Sequence, residues 1–389
     1  MRVGTTVGQI LVRRGVEFRA ERIHDPVEKL RYLRRSMGAS GRPTWQRRER
    51  NWTRGPGLKW VLLAVLLMVP IPTVSDVPWF PNQVPLLTSL PGPGPAPPVP
   101  HVWLVERNKD YDLYSNGLRV DKRFTVANEK RSYPVYDRKT LKLVEWRKGP
   151  VGILYHTTES HQAPFDANHN RRLRLVGKWL LQYVQQIRSY HFVIDRFGEV
   201  HSVVRESDSG NHAGYSIWAD SRFVYVNLNP SFLGVAFETE SGNGKSGAQI
   251  TPAQVHAGRV LTEMLRSKYH IPARTCVTHA QVSVFPLSMK FGNHVDWTAK
   301  LPFGEFGLPN NYDLPVAALG VFGFRYNLKL LKSTGSELWK GVALGEDEFR
   351  RAAAGDGVPL ALYKKTRKQR YREILEVIEE AIASQENQS

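Results

Sequence analysis

Cysteine is nearly absent: Cys276 stands alone in 389 residues, which excludes an internal disulfide framework. An exported domain built from this chain must therefore rely on core packing or on metal. Read on a strand, Cys276 and His279 of the CVTH segment lie an odd number of residues apart and face opposite sides. Cys276 is accordingly expected to be a buried strand residue and not a partner of His279. No internal repeat is visible, so a repeat array is excluded. Acidic residues are also scarce, 36 against 54 Lys/Arg, for a net charge of +18. The excess is unevenly placed. Residues 1–57 hold fourteen Lys/Arg against five Asp/Glu, half of the net charge in a seventh of the length. Despite a pI near 9.9, a dense basic start followed by an apolar run points to a membrane and away from nucleic acid.

That run, WVLLAVLLMVPIPTVS at 60–75, is uncharged but short. Sixteen helical residues span roughly 24 Å, less than the ~30 Å hydrocarbon core. A retained anchor is the expectation. A cleaved signal peptide is the alternative, weakened by the long basic segment and the lack of a clean small-x-small site, and favoured by a start near Met37. In either case the basic side stays in the cytoplasm and the chain after Asp76 is exported. PGPGPAPPVP at 91–100 favours extended polyproline II at ~3.1 Å per residue, a stalk of roughly 30 Å. The expected organisation is a basic cytoplasmic segment (1–57), an anchor or signal segment (58–76), a proline-rich linker (77–100), a β-rich region (101–148), a mixed α/β domain (149–305) and a C-terminal region (306–389).

The α/β domain is legible in its periodicities. Residues 151–155 and 233–237 are short apolar runs of the buried-strand type. Leu173, Val176, Trp179, Leu180, Val184 and Ile187 follow helical spacing, predicting an amphipathic helix over 171–188. Arg196-Phe197-Gly198 separates two strand-like runs, a hairpin signature. Thr251-Pro252 is an N-cap followed by proline at the first helical position, opening a helix to about Lys268. Residues 275–279 read as a strand ending on a histidine. Further on, Tyr371, Ile374, Leu375, Ile378 and Ile382 form a stripe suited to a packing helix or an oligomer contact. The fold class is α/β, a mixed central sheet flanked by helices.

Ten of the twelve histidines lie between His156 and His294, in short segments at strand or loop ends. Neutral imidazole is the commonest zinc ligand, and a catalytic zinc needs three protein ligands and an open position. The segments YHTTES (155–160), SYHFVIDRFGEV (189–200), GNHAGYSIW (210–218), LGVAFE (233–238), ITPAQ (250–254), and TH (278–279) with a later H-x-D (294–296) are together specific. Over 151–303 the chain resembles the type-2 N-acetylmuramoyl-L-alanine amidases, which share their fold with peptidoglycan recognition proteins.

The resemblance implies one zinc per chain, held by His156, His279 and Asp296. The spacing from His279 to Asp296 is longer than usual, implying an insertion at 282–292 and leaving His294 as an alternative ligand. His294 also stands where the family usually has lysine, an oxyanion-stabilising place. Where a Gly-Ile-Glu-Leu-Glu strand would supply the catalytic glutamate, this chain has Ala236, so the general base is either Glu238, two positions along, or Tyr190 before the hairpin histidine. His212 is expected to line the substrate groove, and His191 to be structural. His161, His169, His201, His256 and His270 carry no assigned role. The implied activity is hydrolysis of the amide between the lactyl group of N-acetylmuramic acid and L-alanine in peptidoglycan or muropeptides. The enzyme would be tethered to the inner membrane with its catalytic domain in the periplasm, or secreted there after signal cleavage. A peptidoglycan-binding module without catalysis is the alternative. Oligomeric state is open.

Overall fold

The computed structural model describes residues 101–160, 162–241, 249–334 and 338–386. The expected basic segment, membrane segment and proline-rich linker lie outside them. Among the described residues no helix is long and apolar enough to cross a membrane.

Fifteen strands and seven α-helices follow one another along the described chain. The principal sheet has eight strands in the order β1 (Leu104–Arg107), β2 (Tyr111–Tyr114), β3 (Arg119–Asp121), β8 (Val200–Ser202), β7 (Phe192–Ile194), β11 (Phe232–Phe237), β6 (Gly152–Thr157) and β12 (Cys276–Thr278). Its central pairs β7–β11, β11–β6 and β6–β12 are parallel, which is why β6 and β11 read as unbroken apolar runs. A second sheet is antiparallel, in the order β5 (Leu143–Arg147), β4 (Tyr133–Asp137), β10 (Phe223–Val226), β9 (Ile217–Ala219). Residues 101–148 are thus integrated into the body. β3 pairs with β8 at the edge of the main sheet, and β4 pairs with β10 in the second, so the expected division after Lys148 matches no break in strand pairing.

Alternation divides the main sheet into two faces. Ile153, Tyr155, Phe192, Ile194, Leu233, Val235 and Phe237 point into one core, covered by α2 (Pro252–Tyr269). The N-terminus of α2 is as expected: Thr251 caps it in a capping box with Gln254, and Pro252 occupies the first turn. On the opposite face Val193 and Ala236 pack against Leu180, Leu181 and Val184 of α1 (Asn170–Gln186). The apolar stripe of α1 runs through Leu173, Gly177, Leu180, Leu181 and Val184, and Trp179, read as part of it, is 59% exposed. Glycine at 177 lets α1 approach, because a Cβ there would meet the Glu238 carboxylate at 3.3 Å.

Past β12 the chain turns directly into α3 (His279–Val282), so His279 opens a helical turn and does not end a strand. The segment 282–292, read as an insertion, holds the pair β13 (Val284–Phe285) and β14 (Lys290–Phe291). It receives β15 (Arg325–Tyr326) from the C-terminal region. That region also supplies α4 (Ala317–Gly320), α5 (Leu328–Thr334), α6 (Lys340–Gly355) and α7 (Leu360–Glu386). Tyr371, Ile374 and Ile378 of α7 are buried in one cluster with Ile217, Val224 and Phe291, making α7 a packing helix on the second sheet.

Candidate metal centre

His156, His279 and Asp296 come from three elements and converge. His156 is the fifth residue of β6, paired across to Ala236; His279 is the first residue of α3; Asp296 sits in the loop after β14. The Ala280 N–H donates to the Asp296 carbonyl at 3.3 Å, tying that loop to α3. Trp297, the next residue, is buried against Phe237 at 5.7 Å with φ +56°, a conformation costly for a bulky residue and held only by packing. His156 Nδ1 and His279 Nδ1 each lie 3.1 Å from the same oxygen, Asp296 Oδ2.

The outward hydrogen bonds fix the tautomers. His212 Nε2 faces the Phe232 carbonyl at 3.4 Å, and a carbonyl only accepts, so His212 donates there and its Nδ1 accepts. That Nδ1 lies 3.1 Å from His156 Nε2, which must therefore carry the proton. Likewise His279 Nε2 donates to the Ala213 carbonyl at 3.2 Å. Burial lowers the pKa of His156 to about 4 and that of His212 well below its usual value, so both are neutral at physiological pH. With the protons placed on Nε2 by the outward hydrogen bonds, the Nδ1 of His156 and the Nδ1 of His279 each present a lone pair toward the Asp296 oxygen. Three electron-pair donors meeting in a buried spot need a cation between them. Tetrahedral zinc with bonds of ~2.0–2.1 Å has ligand–ligand edges of roughly 3.3 Å, close to the separations seen, so the three residues fit the metal.

His212 is buried beside His156, and the HAG segment supports the centre through the His212 ring and the Ala213 carbonyl. The Asn229 side-chain oxygen holds that segment by accepting from both backbone N–H groups. Gly234 makes the space, since a Cβ there would lie 2.6 Å from the His212 ring. Nothing in the spacing of HAG announced this support; it depends on the fold bringing Gly234 of β11 against the His212 ring. His191 is structural as read: its Nδ1 accepts from the Gly234 N–H at 2.9 Å and its Nε2 bonds the Asp208 carbonyl at 3.0 Å.

The two candidate bases part company. The Tyr190 ring lies 5.1 Å from that of His156 and packs on the cluster containing Ala236. Burial, followed by the charges of Asp296 and Glu159, pushes its phenol pKa up, so it remains a hydrogen-bond donor at neutral pH. Glu238 shares the face of Ala236 but lies past the end of β11, roughly 6.6 Å further along at ~3.3 Å per residue. Its carboxylate accepts from the Arg196 N–H at 3.1 Å and rests against Gly177. The structure does not bring Glu238 to the centre, because its backbone N–H is bonded to Ile194 and carries it to the β7–β8 hairpin. His294 is exposed, its ring stacked on His279 at 4.4 Å and 17°, at the outer rim of the centre and not among the three converging donors. His169 bonds Asp166 on the surface, His270 is the left-handed C-cap of α2, and His161 lies outside the described residues.

With this geometry in place, residues 146–296 match the family model of N-acetylmuramoyl-L-alanine amidases. They form an amidase-family domain. No curated protein matches the chain. Among solved structures, the amidase domain is similar to the N-acetylmuramoyl-L-alanine amidase LysC from Clostridium intestinale, at 21% identity over 47% of this chain and 93% of that one, with a TM-score of 0.25. AmiD from E. coli, solved with anhydro-N-acetylmuramic acid-L-Ala-D-gamma-Glu-L-Lys, is 15% identical over 63% and 98%, TM-score 0.34. The Drosophila peptidoglycan recognition protein SD is 20% identical over 34% and 71%, TM-score 0.25.

Proposed function

We propose that the chain is a zinc-dependent N-acetylmuramoyl-L-alanine amidase, hydrolysing the bond between the lactyl carbonyl of N-acetylmuramic acid and the nitrogen of L-alanine. The observation that carries this reading is the convergence of two imidazole lone pairs on the Asp296 carboxylate inside an amidase-family domain. His156, His279 and Asp296 would hold the zinc. When bound, zinc supplies Lewis acidity to the scissile carbonyl and to the attacking water. His212 and the Ala213 carbonyl keep the two imidazoles in the ligating tautomer, support that commonly governs metal affinity. Tyr190, protonated and beside His156, donates a hydrogen bond that orients the water. His294, at the exposed rim above His279, donates to the oxyanion.

One observation favours the second reading, a peptidoglycan-binding domain without catalysis. Asp296 is the only carboxylate among the described hydrogen-bond and ring partners of His156, with Ala236 where a base would stand. Mass spectrometry of muropeptides incubated with the full chain separates the two. An amidase yields free stem peptides beginning at L-alanine and a sugar bearing a lactyl carboxylate, and chelator abolishes both. Retention of intact muropeptide on the protein without products identifies a binding domain.

By the same reading the protein acts outside the cytoplasm, tethered to the inner membrane through 58–76 or released after cleavage there. Supporting this are the basic 1–57 segment, the apolar run and the proline-rich stretch.

A further inference from the structure

We propose that Asp195, Glu199 and His201 form a second divalent-cation site on the β7–β8 hairpin, distinct from the His156 centre. The hairpin register pairs Ile194 with Val200 and Val193 with His201, and the Asp195 N–H bonds the Glu199 carbonyl at 3.0 Å. Alternation therefore sends Asp195, Glu199 and His201 to one face, where their donor atoms lie within 4.8 Å of one another. His201 on β8 and His156 on β6 are three strands apart in the sheet, roughly 14 Å at ~4.8 Å per strand, so one ion cannot serve both.

Three carboxylate and imidazole groups near each other would not by themselves indicate a ligand. The second observation is the state of His201. It is 3% exposed, yet neither ring nitrogen has a hydrogen-bond partner. Buried polar atoms left unmet are costly, so their persistence points to a missing partner. The nearest acceptors are Asp121 Oδ2, 3.5 Å from Nδ1, and Asp195 Oδ2, 3.8 Å from Nε2. Asp121 is already gripped by the Arg123 guanidinium, which suits it to orient Nδ1–H from behind and leave Nε2 as the ligating nitrogen. Asp195 is pre-set. Its Oδ1 accepts from the Phe197 and Glu199 N–H groups at 2.9 and 2.8 Å, leaving Oδ2 turned to His201. Glu199 is exposed, which gives the ion a way in from solvent.

One imidazole and two carboxylates bring a charge of −2 and a nitrogen donor, a set suited to a first-row dication such as Zn²⁺ or Mn²⁺ over Ca²⁺. The ion would pin the hairpin tip and has no place in the hydrolytic step, so the proposal does not depend on amidase activity. The test is metal analysis of the full chain, stripped with chelator and dialysed against Zn²⁺ and, separately, Mn²⁺. Wild type should bind two Zn²⁺ per chain. His201→Gln and Glu199→Gln should each bind one, as should His156→Ala, whose remaining ion is the one lost on adding Glu199→Gln. Glu199 is on the surface, so its substitution leaves folding intact. In the His156→Ala protein, Mn²⁺ should raise the melting temperature, and Glu199→Gln should remove the increase. A single Zn²⁺ in wild type that survives both His201→Gln and Glu199→Gln would overturn the site. A single Zn²⁺ lost in those variants but kept in His156→Ala would uphold it while defeating the zinc reading of the first centre.

Discussion

At the scale of residues, the metal centre is governed by what stands behind its ligands. His212→Ala removes the acceptor that holds the His156 proton on Nε2, and should weaken zinc binding by about 10–100-fold, measured by competition with a chromophoric chelator. Gly234→Ala should do the same, because its methyl group would push the His212 ring aside. His294→Ala should lower turnover by about 10²–10³ with zinc content unchanged, and His294→Lys should restore it. Unaltered turnover in His294→Ala would remove the rim histidine from the chemistry. Glu238 makes a different prediction. Burial raises its pKa from 4.5 to about 7, so the folded metal-free chain holds a proton there that the unfolded chain has released. Stability must then fall as pH rises from about 4.5 through 7, by about 3 kcal/mol in all. Glu238→Gln should flatten that slope in denaturant titrations at pH 5 and pH 8, and an unchanged slope would show that Glu238 is ionised throughout. The third ligand (Asp296 or His294) and the base (Tyr190 or Glu238) were left open by the sequence, while His156 and His279 were legible as a motif pair. The supporting part of His212, and the removal of Glu238 from the centre, were not, since both depend on strand register and on where β11 ends.

At the scale of elements, periodicity was a sound guide wherever one face of an element meets the core. Thr251-Pro252 opened α2 as read, and Arg196-Phe197-Gly198 turned the β7–β8 hairpin, with Gly198 at φ +81° as such a turn requires. Helical spacing put Trp179 on the inner stripe, but it is exposed, and the small Gly177 lies on the inner line of α1 instead. The stripe on α7 gives the test for the C-terminal region. Tyr371 is fully buried among Phe322 and Phe324, and its hydroxyl has no hydrogen-bond partner. Tyr371→Ala should cost about 3–5 kcal/mol in urea unfolding. Tyr371→Phe should cost nothing or stabilise, because it deletes an unmet buried hydroxyl while keeping the ring. A large loss in Tyr371→Phe would show that the hydroxyl is satisfied in solution.

At the scale of the whole molecule, a reporter fused after Pro100 should be active only outside the cytoplasm. Cytoplasmic activity of that fusion would remove the cell wall as substrate, and N-terminal sequencing of the mature protein distinguishes anchor from cleaved signal. Sequence alone was enough for the α/β class, the two long helices and the two histidine donors, with Asp296 and His294 left as alternatives for the third, because local periodicity and a family-like motif need only a few neighbouring residues. Tertiary structure alone decided the rest. It joined residues 101–148 to the sheet through the β3–β8 pairing and used the segment after His279 to seat β15 from the C-terminal region. It also left His201, unremarkable in sequence, buried between two carboxylates. These are contacts between segments far apart along the chain, set by strand order and register, and no short-range pattern encodes them.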